Sequence, residues 1–156
     1  MIDVRELRVG SCISGRQINI FRVDEIGIED GLYTLRMYIG QLGGHSWLDM
    51  IPWDAMPLPL SENILLKCGF KNHKQSFSLE INELSSLVYS FETMFDSFHC
   101  YAYLSKIINH PKGGGHMDTA KYELNIIHLH QLQNLYFDLT GKELDVSRVL
   151  KEYSNR

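Results

Sequence analysis

Three cysteines, Cys12, Cys68 and Cys100, are too few, too far apart and odd in number. No two of them stand as CxxC, which argues against a disulfide framework and against a thiolate zinc knuckle, and fits a reducing cytoplasm. Positive charge is also short: 15 Lys and Arg stand against 19 Asp and Glu, a formal net charge of -4. A chain that holds a nucleic-acid backbone depends on neutralising phosphates, so a globally basic binder is excluded and only a local basic patch is left open. No apolar run approaches the roughly 20 residues a membrane span needs. The N-terminus MIDVRELRVG alternates charge with short apolar residues and lacks the basic start and apolar core of a signal peptide. No internal repeat recurs at a fixed period.

What is present is 156 residues of 44% hydrophobic content, enough for one sizeable core and too few for two domains of ordinary size. The expectation is a single α+β domain over 1–156, with room for a small N-terminal β lobe over 1–56 and a sheet-plus-helix region over 57–156. Residues 11–15 form a short extended piece between glycines. Ile18, Ile20, Val23, Ile26 and Ile28 make 17–28 strand-like, through β-branched residues in near-alternation. Glu29-Asp30-Gly31 holds an Asp-Gly hairpin signal, and 32–39 returns as the partner strand. Gly40, Gly43 and Gly44 break it, and 45–53 reads as a further strand ended by Pro52. Short strands with tight turns suggest a small, strongly bent sheet of the SH3-like barrel kind.

The prolines of Met56-Pro57-Leu58-Pro59-Leu60 make an extended connector. Ser61 caps a short helix over 62–68, which Gly69 closes before Phe70. Period-two alternation follows at Phe77, Leu79 and Ile81, then at Leu87, Tyr89 and Phe91. An aromatic-rich strand over 98–108 and a fourth strand carrying Tyr122, Leu124 and Ile126 complete an antiparallel meander. The loop Pro111-Lys112-Gly113-Gly114-Gly115-His116 reads as a mobile hairpin tip.

The stretch 128–144, HLHQLQNLYFDLTGKEL, organises the rest. Leu129, Leu132, Leu135, Tyr136 and Leu139 fall on one side of a helix, with Gln131, Gln133, Asn134 and Asp138 opposite. Thr140-Gly141 stops it, Lys142 complements the helix dipole, and Leu144 folds back on the last turn. One amphipathic helix after a run of strands is expected to pack across the meander. Val146, Val149, Leu150 and Tyr153 mark a short terminal helix.

Two strings carry a family likeness: Pro57 to Phe70, PLPLSENILLKCGF, and His130 to Leu144, HQLQNLYFDLTGKEL. Together they resemble a group of small uncharacterised proteins of Bacteroidetes phages and prophages, whose layout opens with a glycine-containing segment similar to Leu7-Arg8-Val9-Gly10. The HQLQNLYF-LTG-EL string is the more specific, while 77–121 has no counterpart and the triglycine loop is peculiar to this chain. The activity of that group is not established. The resemblance therefore implies an origin and a shape, and carries over no catalytic residue.

Seven histidines raise the question of a metal. His110 and His116 flank the glycine loop, and with His128, His130 or Asp118 one hairpin could present several donors, yet the spacings match no standard ligand pattern. Lys112 ahead of the glycines has the wrong order for a phosphate loop. His99 and Cys100, adjacent in a strand, point to opposite faces and make a poor nucleophile pair. No catalytic, cofactor-binding or metal-ligating residue is assigned.

Surface features fit binding better. Asp24, Glu25, Glu29 and Asp30 cluster at one hairpin and could face a basic groove meant for phosphates. Trp47 and Trp53, with further aromatics, could form an exposed recognition surface. The expected function is a phage accessory inhibitor, anti-CRISPR-like, whose partner is a protein such as a CRISPR effector with its guide RNA. Direct nucleic-acid contact is left open, no membrane is involved, and the sequence does not specify an oligomeric state. The alternatives are a small nucleic-acid-binding module aided by Arg5, Arg8, Arg16, Arg22 and Arg36, and a metal-dependent enzyme built on the histidine-rich hairpin.

Overall fold

The computed structural model describes residues 2–15, 20–39, 46–50, 54–74, 76–82, 85–94, 97–109 and 115–153; the side chains at 38–39, 46–50, 91–94, 97–109, 115–125 and 152–153 lie outside the description. The chain is α+β and contains two antiparallel five-stranded sheets. It divides into two compact units, Met1–Ser61 with His128–Arg156, and Glu62–Ile127. The expectation is one domain with room for a lobe boundary at 56/57; the connector and the C-terminal helices group instead with the N-terminal strands.

The first unit opens with a 3-10 turn, Val4–Glu6, started by the Asp3 carboxylate, which accepts the Arg5 amide. Its strands are β1 (Cys12–Ser14), β2 (Ile20–Glu29), β3 (Leu32–Ile39), β4 (Ser46–Met50) and β5 (Met56–Pro57). They lie in the order β4-β3-β2-β1-β5, and among the described residues no ladder joins β4 to β5. The Asp-Gly signal is realised as a two-residue turn: Glu29 pairs with Leu32, and Asp30 and Gly31 take φ of 51° and 78°. Positive φ at both central residues matches the right-handed twist of the flanking strands. Ile13, Val23, Leu35, Met37 and Ala55 are fully buried with Ile2 and Leu7 in one core.

Cys12 and Ile13 are adjacent in β1 and both wholly buried. Neighbours in a strand point to opposite faces, so β1 is covered on both sides. Ile13 belongs to the core, and the helix α2 (Leu129–Thr140) packs on β1. A third helix, Ser147–Tyr153, packs on β2, with Val146 and Val149 buried. The helix expected to cover the meander thus groups with the N-terminal sheet. Its anchorage is a backbone bond from the Leu129 amide to the Leu58 carbonyl, 2.8 Å, beside an antiparallel bridge between Pro59 and His128.

The second unit begins with α1 (Glu62–Lys67). Its end is closed by the amide of Gly69 bonding the Leu66 carbonyl and that of Phe70 bonding the Leu65 carbonyl, with Gly69 at φ 90°. That paired pattern requires a left-handed residue at Gly69, and both Leu65 and Phe70 are buried. Five strands follow in sequential order as the expected meander: β6 (Lys71–Asn72), β7 (Ser76–Asn82), β8 (Ser85–Met94), β9 (Ser97–Asn109) and β10 (Gly115–Asn125). Phe77, Leu87, Val88 and Tyr89 are buried, and the Tyr89 hydroxyl donates to the Ile126 carbonyl at 2.7 Å. The tip over 110–114 lies outside the described residues. Among the described residues, no helix is long and apolar enough to cross a membrane.

Candidate functional site

Two places concentrate polar chemistry. The first is the joint between the N-terminal segment and α2. The stripe expected to be buried, Leu129, Leu132, Leu135, Tyr136 and Leu139, is only partly so: Leu129 and Leu132 are buried, Leu139 and Phe137 are exposed, and His130 and Gln133 take the remaining buried positions at 1% exposure each. Backbone accounting explains the rotation. Gln133 Oε1 accepts the Cys12 amide at 2.8 Å and its Nε2 donates to the Gly10 carbonyl at 2.9 Å. The Cys12 amide belongs to a strand covered on two sides and the Gly10 carbonyl to the turn that leads into it, and a leucine at 133 would leave both without this partner.

Around this centre Asn134 Nδ2 donates to the Glu6 carbonyl at 2.7 Å. The Arg8 guanidinium donates to Asn134 Oδ1 at 2.8 Å, to the Gln133 carbonyl at 2.9 Å and to both Glu143 oxygens at 2.6 and 3.0 Å, and it lies 4.4 Å over the Phe137 ring. The Glu6 carboxylate meets His130 Nε2 at 3.3 Å and Gln131 Nε2 at 3.4 Å. His130 Nδ1 has no hydrogen-bond partner among the described residues, and its ring stacks on His128 with centroids 5.6 Å apart. Burial holds both imidazoles below their ordinary value, with the Glu6 carboxylate pulling the other way. The HQLQN string is therefore a docking surface for the chain's own first ten residues.

The same joint silences Cys12, whose thiol burial pushes up to about 12, so that it stays protonated at neutral pH. Among the described residues, no group of three His, Cys, Asp or Glu could hold a metal ion. His110 lies outside the described residues, as do the side chains of His99, Cys100, His116 and Asp118.

The second place is the β2–β3 hairpin, where the sequence placed its acidic cluster. The structure separates those residues. Asp24 is the extra residue of a β-bulge, since Val23 pairs with Met37 and Glu25 with Arg36, and its carboxylate meets Arg22 at 2.9 Å. Glu25 and Glu29 share one face and flank Arg36 at 3.0 and 3.9 Å. Gly27 lies between them opposite Thr34, whose Oγ1 would stand 2.9 Å from any Cβ there. Asp30 sits in the turn. Trp47 stands opposite Tyr38 in the β3–β4 ladder with its side chain outside the description, and Trp53 lies outside the described residues. Ile28 and Leu32, strand residues by sequence pattern, are exposed, as is Tyr33. Their position next to an Asp-Gly turn was the available signal, because hairpin ends reach beyond the core.

The arginines of the nucleic-acid reading meet carboxylates. Arg5 pairs with Asp3, Arg8 with Glu143, Arg22 with Asp24 and Arg36 with Glu25; Arg16 lies outside the described residues. Their charge is matched locally, which leaves little to neutralise a phosphate backbone. Compared with protein-family models, curated proteins and solved structures, the chain matches none.

Proposed function

We propose that this protein acts by binding, as a phage- or prophage-encoded inhibitor of a host defence nucleoprotein of the CRISPR type. The observation that carries the reading is the β2–β3 hairpin, a ribbon with four carboxylates and two guanidiniums over 22–36. Glu25 and Glu29 lie on one face, about 13 Å apart along the strand at ~3.3 Å per residue, with Asp30 at the turn. Four carboxylates against two guanidiniums leave the narrow ribbon an excess of two negative charges, which suits a cationic groove shaped for phosphates and speeds encounter with it. The likeness of the HQLQNLYF-LTG-EL string to phage proteins supports the same reading.

The test is direct. Purified guide-loaded CRISPR effectors from a Bacteroidetes host are assayed for target cleavage with and without the protein. Cleavage that falls stoichiometrically, together with co-elution of effector and protein, is the expected result. Undiminished cleavage at tenfold excess of protein, with no co-elution, would abandon the reading.

A further inference from the structure

Past Val23, β2 is paired on one side only. Toward β3 its ladder runs out to Glu29. On the other side the ladder with β1 ends at Arg22, and the Gly10 amide and Ser11 carbonyl still bond Val23. Beyond that residue, no ladder or loop backbone bond among the described residues reaches this edge. A strand edge with unpaired N–H and C=O groups is a template for another chain.

The turn determines which groups the edge presents. With Asp30 and Gly31 both at positive φ, Glu29 and Leu32 exchange both backbone bonds, and the pairs behind them alternate between bonded and non-bonded. Gly27 with Thr34 and Glu25 with Arg36 are bonded pairs; Ile28 with Tyr33 and Ile26 with Leu35 are not. The amides and carbonyls of Ile26 and Ile28 therefore point away from β3. Ile28 is 66% exposed, and the Glu25 and Glu29 side chains beside it are 59% and 69% exposed.

Side chains alternate about this edge. Glu25, Gly27 and Glu29 lie on one face, Ile26 and Ile28 on the other. Arg36 is shared by the two glutamates, which leaves their face one negative charge in excess. On the other face Arg5 acts on Tyr33, and its own charge is matched by Asp3. A strand laid along the edge meets both faces, because its side chains alternate with the same period. Opposite Glu25 and Glu29 it gains from lysine or arginine, and opposite Ile26 and Ile28 from apolar residues. A second copy fits badly. Paired antiparallel about Gly27, it sets Glu25 opposite the other copy's Glu29; paired about Ile26 or Ile28, it sets an isoleucine opposite an aspartate.

We propose that the open edge of β2 over 25–29 takes up an extended segment of a protein partner as an added antiparallel strand, with basic residues opposite Glu25 and Glu29 and apolar residues opposite Ile26 and Ile28. This deepens the inhibitor reading and rests on it only for the identity of the partner.

The probe is the end-capped peptide Lys-Val-Thr-Val-Lys, added to the isotope-labelled full chain while amide exchange is followed by nuclear magnetic resonance. The Ile26 and Ile28 amides are expected to exchange fast in the free protein and at least tenfold more slowly with peptide. Those of Gly27 and Glu29, already bonded to β3, should hold their rates. A peptide methylated on both valine nitrogens, which loses the bonding amides and keeps the charge, should bind at least tenfold more weakly, as should Glu-Val-Thr-Val-Glu. No change at Ile26 and Ile28, or equal binding of either control peptide, would overturn the added strand. Slow exchange at both residues in the free protein, with the mass of a dimer, would give the edge to a second copy and overturn it too. Effector inhibition without peptide uptake would sink the added strand alone; peptide uptake without effector inhibition would sink the inhibitor reading alone.

Discussion

Gln133 does what no leucine at its position could, by closing both the Cys12 amide of a strand buried on two sides and the Gly10 carbonyl of the turn before it. Gln133→Ala is expected to destabilise the first unit by roughly 1–3 kcal/mol, since the buried Cys12 amide and the part-buried Gly10 carbonyl lose this partner; denaturant unfolding followed by the melting of α2 measures it. His130 supplies a pH dependence. Burial keeps both His130 and His128 below the ordinary value of 6.5, so the unfolded chain takes up these protons first. Stability should hold above that value and fall as the pH drops below it. Because the Glu6 carboxylate opposes the shift at His130, Glu6→Gln should steepen the fall, and unfolding midpoints at pH 7.5 and 5.5 provide the comparison. At this scale the expected face is right at Leu129 and Leu132, which are buried, and wrong at Leu139, which is exposed, and at Gln133, whose residue type is usually outside. The Cys12 amide and the Gly10 carbonyl, 121 and 123 residues away along the chain, are what draw Gln133 inside.

Elements were more legible. Asp30-Gly31 specified a hairpin because few residue pairs accept positive φ twice, and the structure has 51° and 78° there. Gly31→Ala should cost about 1 kcal/mol, read as a lower unfolding midpoint with an unchanged denaturant slope. The bulge at Asp24 carried no sequence signal, since it depends on which residue of β3 lies opposite. The joint between the N-terminal segment and α2 was equally unreadable, because its partners are separated by more than 120 residues. Arg8 ties that joint through a planar fork that lysine cannot reproduce. Arg8→Lys is expected to cost about 1–2 kcal/mol, while Glu143→Gln, at the exposed end of the pair, changes stability by under about 0.5 kcal/mol. Parallel urea titrations of the two variants separate the outcomes.

The whole molecule carries one continuous unit inside a discontinuous one. Residues 62–127 leave the first unit just after Leu58 and Pro59 and return just before Leu129, and these are the residues that pair: the Leu129 amide bonds the Leu58 carbonyl, and Pro59 bridges His128. Antiparallel partners stand about 5 Å apart at Cα, so the points of departure and return adjoin. Replacing 62–127 by about four glycine and serine residues is expected to leave the first unit folded. Dispersed amide resonances, with the Cys12 amide still protected from exchange, would show it. Ending the chain at Ile127 should instead collapse those signals, because α2 and the Gln133 bridge would be gone.

The sequence by itself determined the local structure: strands where β-branched residues alternate, a hairpin at Asp-Gly, helix ends at Gly69 and Gly141, and an α+β chain with two sets of antiparallel strands. Each of these depends on neighbours within a few residues, where backbone sterics and side-chain period decide. Only the tertiary structure decided which strands α2 would cover, which of its faces would be inside, and which apolar residues of the β2–β3 hairpin would run past the core. Those outcomes turn on where distant backbone groups need hydrogen bonds and where the core ends, and neither quantity is written in any local stretch of the chain.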